Sequence, residues 1–182
     1  EDQKQHVEIT RDIAQRFNGI YGDVFRLPEP YIPKVGARIM SLTSPESKMS
    51  KSDKDPGGCI YIMQKPDEIM RAFKRAVTDS ETSIRYDVQN KPGVSDLMQI
   101  YSVASGLSFE DIEKEFDGKG YGDFKPKVGE AVVELLRPIR EQAERLISDK
   151  AYLESIYKEG ADKAARASAR TLRKVYKKIG FV

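Results

Sequence analysis

The sequence predicts a mainly α-helical chain, and three observations carry that reading. From about residue 65 onward, apolar residues return at three- and four-residue intervals, the spacing of one helix face. Gly106 and the glycine-rich run 117–122 separate those stretches. Only two short apolar bursts, residues 35–42 and 59–63, suit extended backbone.

The first expected helix covers 2–18, with Val7, Ile13, Ala14 and Phe17 on one face and Asn18-Gly19 as its stop. Pro28, Pro30 and Pro33 make 28–33 an extended linker. Residues 35–42 fit a strand or an extended lead-in to the loop that follows. Residues 59–63 are β-compatible, with a helix still open at that length. The next helix, 66–77, opens on Pro66-Asp67-Glu68 and lines up Ile69, Met70, Phe73 and Val77. Residues 93–105 carry Leu97, Met98, Ile100, Tyr101 and Ala104, and stop at Gly106. Ser108 caps a short helix, with Asp111 three positions on. After the break at 117–122, a long helix over 126–148 carries Val132, Leu135, Leu136, Ile139, Leu146 and Ile147, kinked near Pro138. The last helix runs from about 160 to 179.

Composition narrows the class. Hydrophobic residues make up 39% and charged residues 33% of the 182, the balance of a soluble globular protein. No apolar run approaches the ~20 residues that span a bilayer, so no membrane partner is expected. The single Cys59 excludes an internal disulfide and an all-cysteine metal cage, and fits a reducing cytoplasm. Charge is uneven: 163–178 holds seven basic and no acidic residues, and +7 in a chain of +2 leaves −5 elsewhere. A basic end on a mildly acidic body suits a passing RNA backbone.

The chemistry concentrates in Lys48-Met49-Ser50-Lys51-Ser52. Two ammonium groups three residues apart flank hydroxyls and backbone N–H groups. Pro45 precedes them; Asp53, Asp55, Pro56, Gly57 and Gly58 follow. Such flanks describe a loop able to close over a polyphosphate; the plain alternative is a solvated Lys/Ser loop. All five residues match the KMSKS signature of the class I aminoacyl-tRNA synthetases, which the chain resembles. Glu1-Asp2-Gln3-Lys4-Gln5-His6, KVGARIM at 34–40, AVTDS at 76–80, IRYD at 84–87 and GKGYG at 118–122 narrow the resemblance to the bacterial-type tryptophanyl-tRNA synthetases.

That resemblance implies a helical tRNA-binding domain attached to the tail end of a Rossmann-like α/β catalytic domain. Residues 1–64 would be the remnant of the nucleotide-binding part, and 65–182 the anticodon-binding domain. With His6 its one histidine, the chain holds no HIGH-type element. It is expected to be the C-terminal portion of a longer enzyme and inactive alone. Some relatives carry an iron–sulfur site, for which this chain lacks the cysteines.

The implied reaction joins L-tryptophan to tRNA(Trp) through an adenylate made from ATP. Lys48 and Lys51 would stabilise the departing pyrophosphate, with Ser50 and Ser52 completing the cradle. The resemblance assigns backbone contacts with adenine to Met49 and Ile39, and ribose contacts to Asp2 and Gln3, with Glu1 in the same turn. Asp2 could equally cap a helix N-terminus. His6 reads as a structural residue. Mg²⁺ is expected only as carried by ATP, with no protein ligand; Asp53 and Asp55 read as turn residues. AVTDS reads as a helix end and turn without an evident mechanism.

On the last helix Arg166, Arg170, Arg173 and Lys177 share a face, beside an apolar stripe of Ala165, Ala169, Leu172, Tyr176 and Ile179. The basic row could meet tRNA phosphates or simply be solvated. Tyr121 and Phe124 are candidates for stacking on anticodon bases. Tyrosine in place of tryptophan, and a non-catalytic helical tRNA-binding module, are the other readings. The family also implies a homodimer, with most dimer contacts in the missing half.

Overall fold

Helix starts and stops written into the chain yield six α-helices in the computed structural model, which describes residues 3–33, 36, 38–52 and 54–181. They are α1 (Lys4–Tyr21), α2 (Pro66–Arg75), α3 (Pro92–Ser105), α4 (Phe109–Glu115), α5 (Tyr121–Ser148) and α6 (Lys150–Ile179). Among the described residues there is no β-strand, only an isolated antiparallel bridge between Met40 and Lys48. The mainly helical class expected from sequence is the class observed. The second apolar burst is not a strand: Tyr61, Ile62 and Met63 are exposed and lie in a turn. Gln64 closes that turn, its N–H on the Tyr61 carbonyl (3.0 Å) and its Oε1 accepting from the Tyr61 N–H (3.2 Å). Val35 and Ala37, in the first burst, lie outside the described residues.

The chain forms two compact units, one of residues 1–32 and 144–182, the other of residues 33–143. These units cut the chain elsewhere than at 64/65. Leu42, from before that position, shares one core with Ile69, Phe73, Leu97 and Phe124 from after it.

In the second unit, local signals and burial agree. Pro66 occupies the first turn of α2, Asp67 and Glu68 sit at its positive end, and Lys74 and Arg75 at its negative end. Glu68 Oε2 accepts from the Lys65 N–H at 3.3 Å. Ser108 caps α4 by accepting from the Asp111 N–H at 3.2 Å, as its spacing predicts. Ile69, Phe73, Val94, Met98, Ile112 and Phe124 are each at most 1% exposed. Tyr101, Phe116 and Phe124 meet edge to face, with ring centroids 5.0 to 6.1 Å apart. Gly93 is required by packing, since a Cβ there would collide with the Val77 carbonyl. Helix α3 therefore starts flat against residues 77–78.

In the first unit, α1 runs past Asn18-Gly19 to Tyr21. Asn18 is a hook rather than a stop. Its Nδ2 donates to the Phe25 carbonyl (2.7 Å), and its Oδ1 accepts from the Val24 and Phe25 N–H groups (3.1 and 2.9 Å). Of the apolar face expected on α1 only Ala14 is buried, and Ile13 is 64% exposed. Helix α6 begins ten residues before the expected start, capped by Asp149 accepting from the Tyr152 N–H. It has no buried residue. The expected stripe is a stripe, but Leu172 and Tyr176 on it are exposed. Periodicity marks a face; it does not supply the surface that would cover it.

Candidate functional site

The KMSKS residues sit at the end of a short extended stem. Alternation along 39–42 points successive backbone groups to opposite edges. On one edge Met49 N donates to the Ile39 carbonyl (3.0 Å), and Ser41 N donates to the Ser47 carbonyl (2.8 Å). On the other, Met40 N donates to Asp96 Oδ1 (2.8 Å), Leu42 N to the Gly58 carbonyl (3.1 Å), and Val77 N to the Leu42 carbonyl (2.7 Å). The turn between is closed by Ser47 N on the Ser44 carbonyl. Gly58 permits the close return, because a Cβ there would collide with the Ser41 hydroxyl.

This anchoring divides the signature in two. Lys48 and Met49 belong to the stem and are half-buried; Ser50, Lys51 and Ser52 form an exposed tip. At the tip Ser50 Oγ accepts from the Ser52 N–H (3.2 Å), and the Tyr61 hydroxyl reaches the Lys51 carbonyl (3.5 Å). The Met49 side chain packs on the core and, with Ile39, Ile60, Phe73 and Ile100, lines an apolar cavity of about 170 Å³. The Met49 N–H and the Ile39 carbonyl, two of the backbone groups assigned to adenine, bond one another. Asp55 caps the turn Pro56–Gly58 by accepting from the Gly57 N–H (2.9 Å). The Thr43 hydroxyl, and then that N–H, hold its carboxyl below the ordinary carboxylate value. No group of three metal-ligating side chains occurs among the described residues.

Other expected site residues are placed more loosely. Glu1, Asp2 and Asp53 lie outside the described residues. Gln3 begins α1, exposed, its carbonyl accepting from the Val7 N–H (3.2 Å). His6 is exposed on the same helix. Arg166, Arg170, Arg173 and Lys177 are exposed along α6, with Arg173 Nε turned toward the Ala169 carbonyl (3.4 Å). Elsewhere on α6, Glu154 pairs with Lys158 and Glu159 with Lys163.

The stacking assignment is overturned for Phe124; Tyr121 is half-buried. Phe124 is fully buried, so no base can reach it, and the Tyr121 hydroxyl is tied into an ionic cluster. Both belong to α5, not to the glycine-rich break, which ends at Gly120.

That cluster gives AVTDS its mechanism. Lys91, 1% exposed, donates from Nζ to Glu81 Oε2 (2.6 Å), Asp79 Oδ1 (3.2 Å) and the Tyr121 oxygen (3.0 Å). Burial alone would lower the Lys91 pKa, but these partners outweigh it and hold the ammonium firmly charged. Burial likewise opposes ionised Asp79, and Tyr121, the Glu81 N–H and Lys91 overcome it. Ala76 is buried and Val77 bonds the loop stem. The 76–80 turn thus locks α3, α5 and the stem together.

Asp96 was not singled out in the sequence at all. It is 2% exposed; burial pushes its carboxyl up to about 7 against the opposing Met40 N–H, and Oδ2 has no hydrogen-bond partner. An acidic residue one turn into an apolar helix was its only signal.

Comparisons with known proteins agree on one group. The profile described as tRNA synthetases class I (W and Y) matches residues 1–137. A tryptophan–tRNA ligase of Clostridium tetani is 51% identical over 181 residues, covering 100% of this chain and 53% of its own length. One from Oceanobacillus iheyensis is 51% identical over 182 residues, covering 100% and 55%. The crystal structure of tryptophanyl-tRNA synthetase from Mycoplasma pneumoniae superposes with a TM-score of 0.88 at 31% identity, over 99% of this chain and 54% of that one. A Campylobacter jejuni tryptophanyl-tRNA synthetase, solved with ADP and tryptophan, gives 0.66 at 30% identity, over 99% and 55%. The chain spans about half the length of the curated relatives it matches.

Proposed function

Because the chain belongs to the class I tRNA synthetases of the tryptophan and tyrosine type, we propose that it contributes the pyrophosphate-clamping loop and the tRNA-facing helices of a tryptophan–tRNA ligase. One observation carries this reading: an intact KMSKS pentapeptide presented as an exposed tip on an anchored stem, in a chain 51% identical throughout to tryptophan–tRNA ligases. ADP and tryptophan in the Campylobacter relative support binding of an adenine nucleotide and tryptophan here.

In the first step the tryptophan carboxylate attacks the α-phosphate of ATP, and pyrophosphate leaves. Negative charge builds on the leaving group, so catalysis lies in positioning and charge stabilisation. Lys51, at the exposed tip, approaches the phosphates as the loop closes. Lys48 acts from the more constrained stem, and Ser50 and Ser52 add hydroxyl and N–H donors. Asp2 and Gln3 hold the ribose; Glu1, Ile39 and Met49 supply further nucleotide contacts. Mg²⁺ would come carried by ATP and would supply charge neutralisation at the phosphates, with no residue of this chain assigned to hold it. In the second step the 3′ end of tRNA(Trp) takes the aminoacyl group, with the α6 basic row on the tRNA backbone. The working assembly is a homodimer. No helix among the described residues is long and apolar enough to cross a membrane.

Tryptophan-dependent ATP–pyrophosphate exchange, with tyrosine as control, tests the reading in the protein that contains this chain. Lys51→Ala should lower kcat for exchange by about a hundredfold or more, the scale of losing one preorganised donor to developing charge. Tryptophan affinity should hardly move. Absence of exchange with either amino acid, alongside tight tRNA binding, would assign a binding module instead.

A further inference from the structure

We propose that Asp96 is a positioning residue for the KMSKS loop: its buried carboxylate keys the loop stem to α3 through the Met40 N–H. The proposal rests on the synthetase reading for its catalytic consequence, but not for its structural one.

The geometry is a short relay. Asp96 Oδ1 accepts from Met40 N at 2.8 Å. Met40 is bridged to Lys48, and its neighbours make the two stem bonds, Met49 N to the Ile39 carbonyl and Ser41 N to the Ser47 carbonyl. The side chain of Asp96 thus holds the residue that lies directly opposite the first lysine of the signature, between those two stem bonds. At the other end, α3 has no freedom to follow a moving loop. Val94, Leu97 and Met98 are at most 1% exposed, and Gly93 is pressed on the Val77 carbonyl. Asp96 is the side chain that connects this rigid helix to the outer edge of the stem.

The site is built for position rather than for stability. Asp96 Oδ2 is buried with no partner. It adjoins a void lined by Ser41, Pro45, Ala76, Val77 and Leu97 that admits no water molecule. An apolar residue of similar size would avoid that cost, since a buried polar atom left unpaired disfavours folding. What such a residue could not do is accept the Met40 N–H. A backbone N–H asks only for an acceptor oxygen, which a neutral side-chain amide also offers. Asparagine should therefore substitute and leucine should not.

The test compares Asp96→Asn and Asp96→Leu. In the chain itself, tryptic cleavage after Lys48 and Lys51 reads loop order without any substrate. Asp96→Leu should be cleaved about ten- to a hundredfold faster than wild type, with circular dichroism unchanged, and Asp96→Asn at the wild-type rate. In the protein containing this chain, Asp96→Leu should lower kcat for tryptophan-dependent exchange by a similar factor, with the KM for tryptophan unchanged. Asp96→Asn should restore it. Equal cleavage of Asp96→Leu and wild type, or equal impairment of both variants, would overturn the proposal. If wild type shows no exchange, the synthetase reading fails, while the cleavage arm still decides whether Asp96 orders the loop.

Discussion

The Tyr121 hydroxyl donates to Asp79 Oδ1 at 2.7 Å across 42 positions of sequence, and Lys91 Nζ donates to that same carboxylate oxygen at 3.2 Å. Lys91 also precedes α3 as its N-cap, where a cation faces the positive end of the helix dipole. Only the surrounding oxygens make that position tolerable. The AVTDS turn is held by this cluster and by Val77 N on the Leu42 carbonyl, next to the loop stem.

Breaking the cluster from its cationic side should therefore be costly. Lys91→Met keeps the volume but leaves Asp79 half-buried beside Tyr121 without its counter-charge. The expected loss is about 3 kcal/mol, the scale for removing one member of a buried pair. Tyr121→Phe, which removes one hydrogen bond, should cost about 1 kcal/mol. Urea unfolding midpoints at constant slope check both. Losses of equal size would mean that the charge is not the dominant contribution.

Asp96 should write a pH dependence into stability. Its folded pKa is raised from 3.8 to about 7, so between those values the unfolded chain releases a proton that the native state keeps. Its contribution is fully present below about pH 3.8 and is lost as pH rises through about 7. Among the described residues that line the adjoining void, Asp96 is the one titratable group. Asp96→Asn should remove this slope, so that the variant gains stability over wild type as pH rises from 4 to 7. Thermal melts of both proteins across that range provide the comparison; parallel curves would show that Asp96 titrates normally.

Gly93→Ala tests the contact that seats α3. In an ordinary helix interior, alanine would stabilise by up to about 1 kcal/mol. Here the added methyl meets the Val77 carbonyl, a backbone atom that cannot rotate away, so a loss of about 1–3 kcal/mol is expected. The sign alone, read from a chemical melt, decides between propensity and packing.

The sequence made the helices legible where propensity, caps and burial agree: Pro66 and Glu68 on α2, Gly106 after α3, Ser108 before α4. It misplaced features whose meaning depends on distant partners. Asn18 looked like a stop because its side-chain bonds reach only to Val24 and Phe25, beyond any helix signal. Phe124 looked like a stacking platform because adjacent glycines suggest exposure, whereas Tyr101 and Phe116 enclose it. The KMSKS signature was recognisable as five letters. Its division into a held stem and an exposed tip was not, since that rests on Asp96, Gly58 and Val77, up to 56 positions away. Lys91 illustrates the same limit: charge is written in the sequence, burial is not.

The α6 basic row separates a tRNA surface from ordinary solvated charge. Arg166, Arg170 and Arg173 are exposed along α6. Their neutralisation should leave the fold intact, because no residue of α6 is buried. If each arginine meets one phosphate, replacing all three by glutamine removes roughly 2–3 from the slope of log affinity against log salt. Affinity should then fall most at low salt and converge with wild type as salt rises. Filter binding of tRNA(Trp) at several salt concentrations measures that slope for both proteins, with circular dichroism confirming the helix. Identical slopes would make the row solvated surface and move the tRNA path elsewhere on the protein; a slope reduced by two or more would place the tRNA backbone along α6.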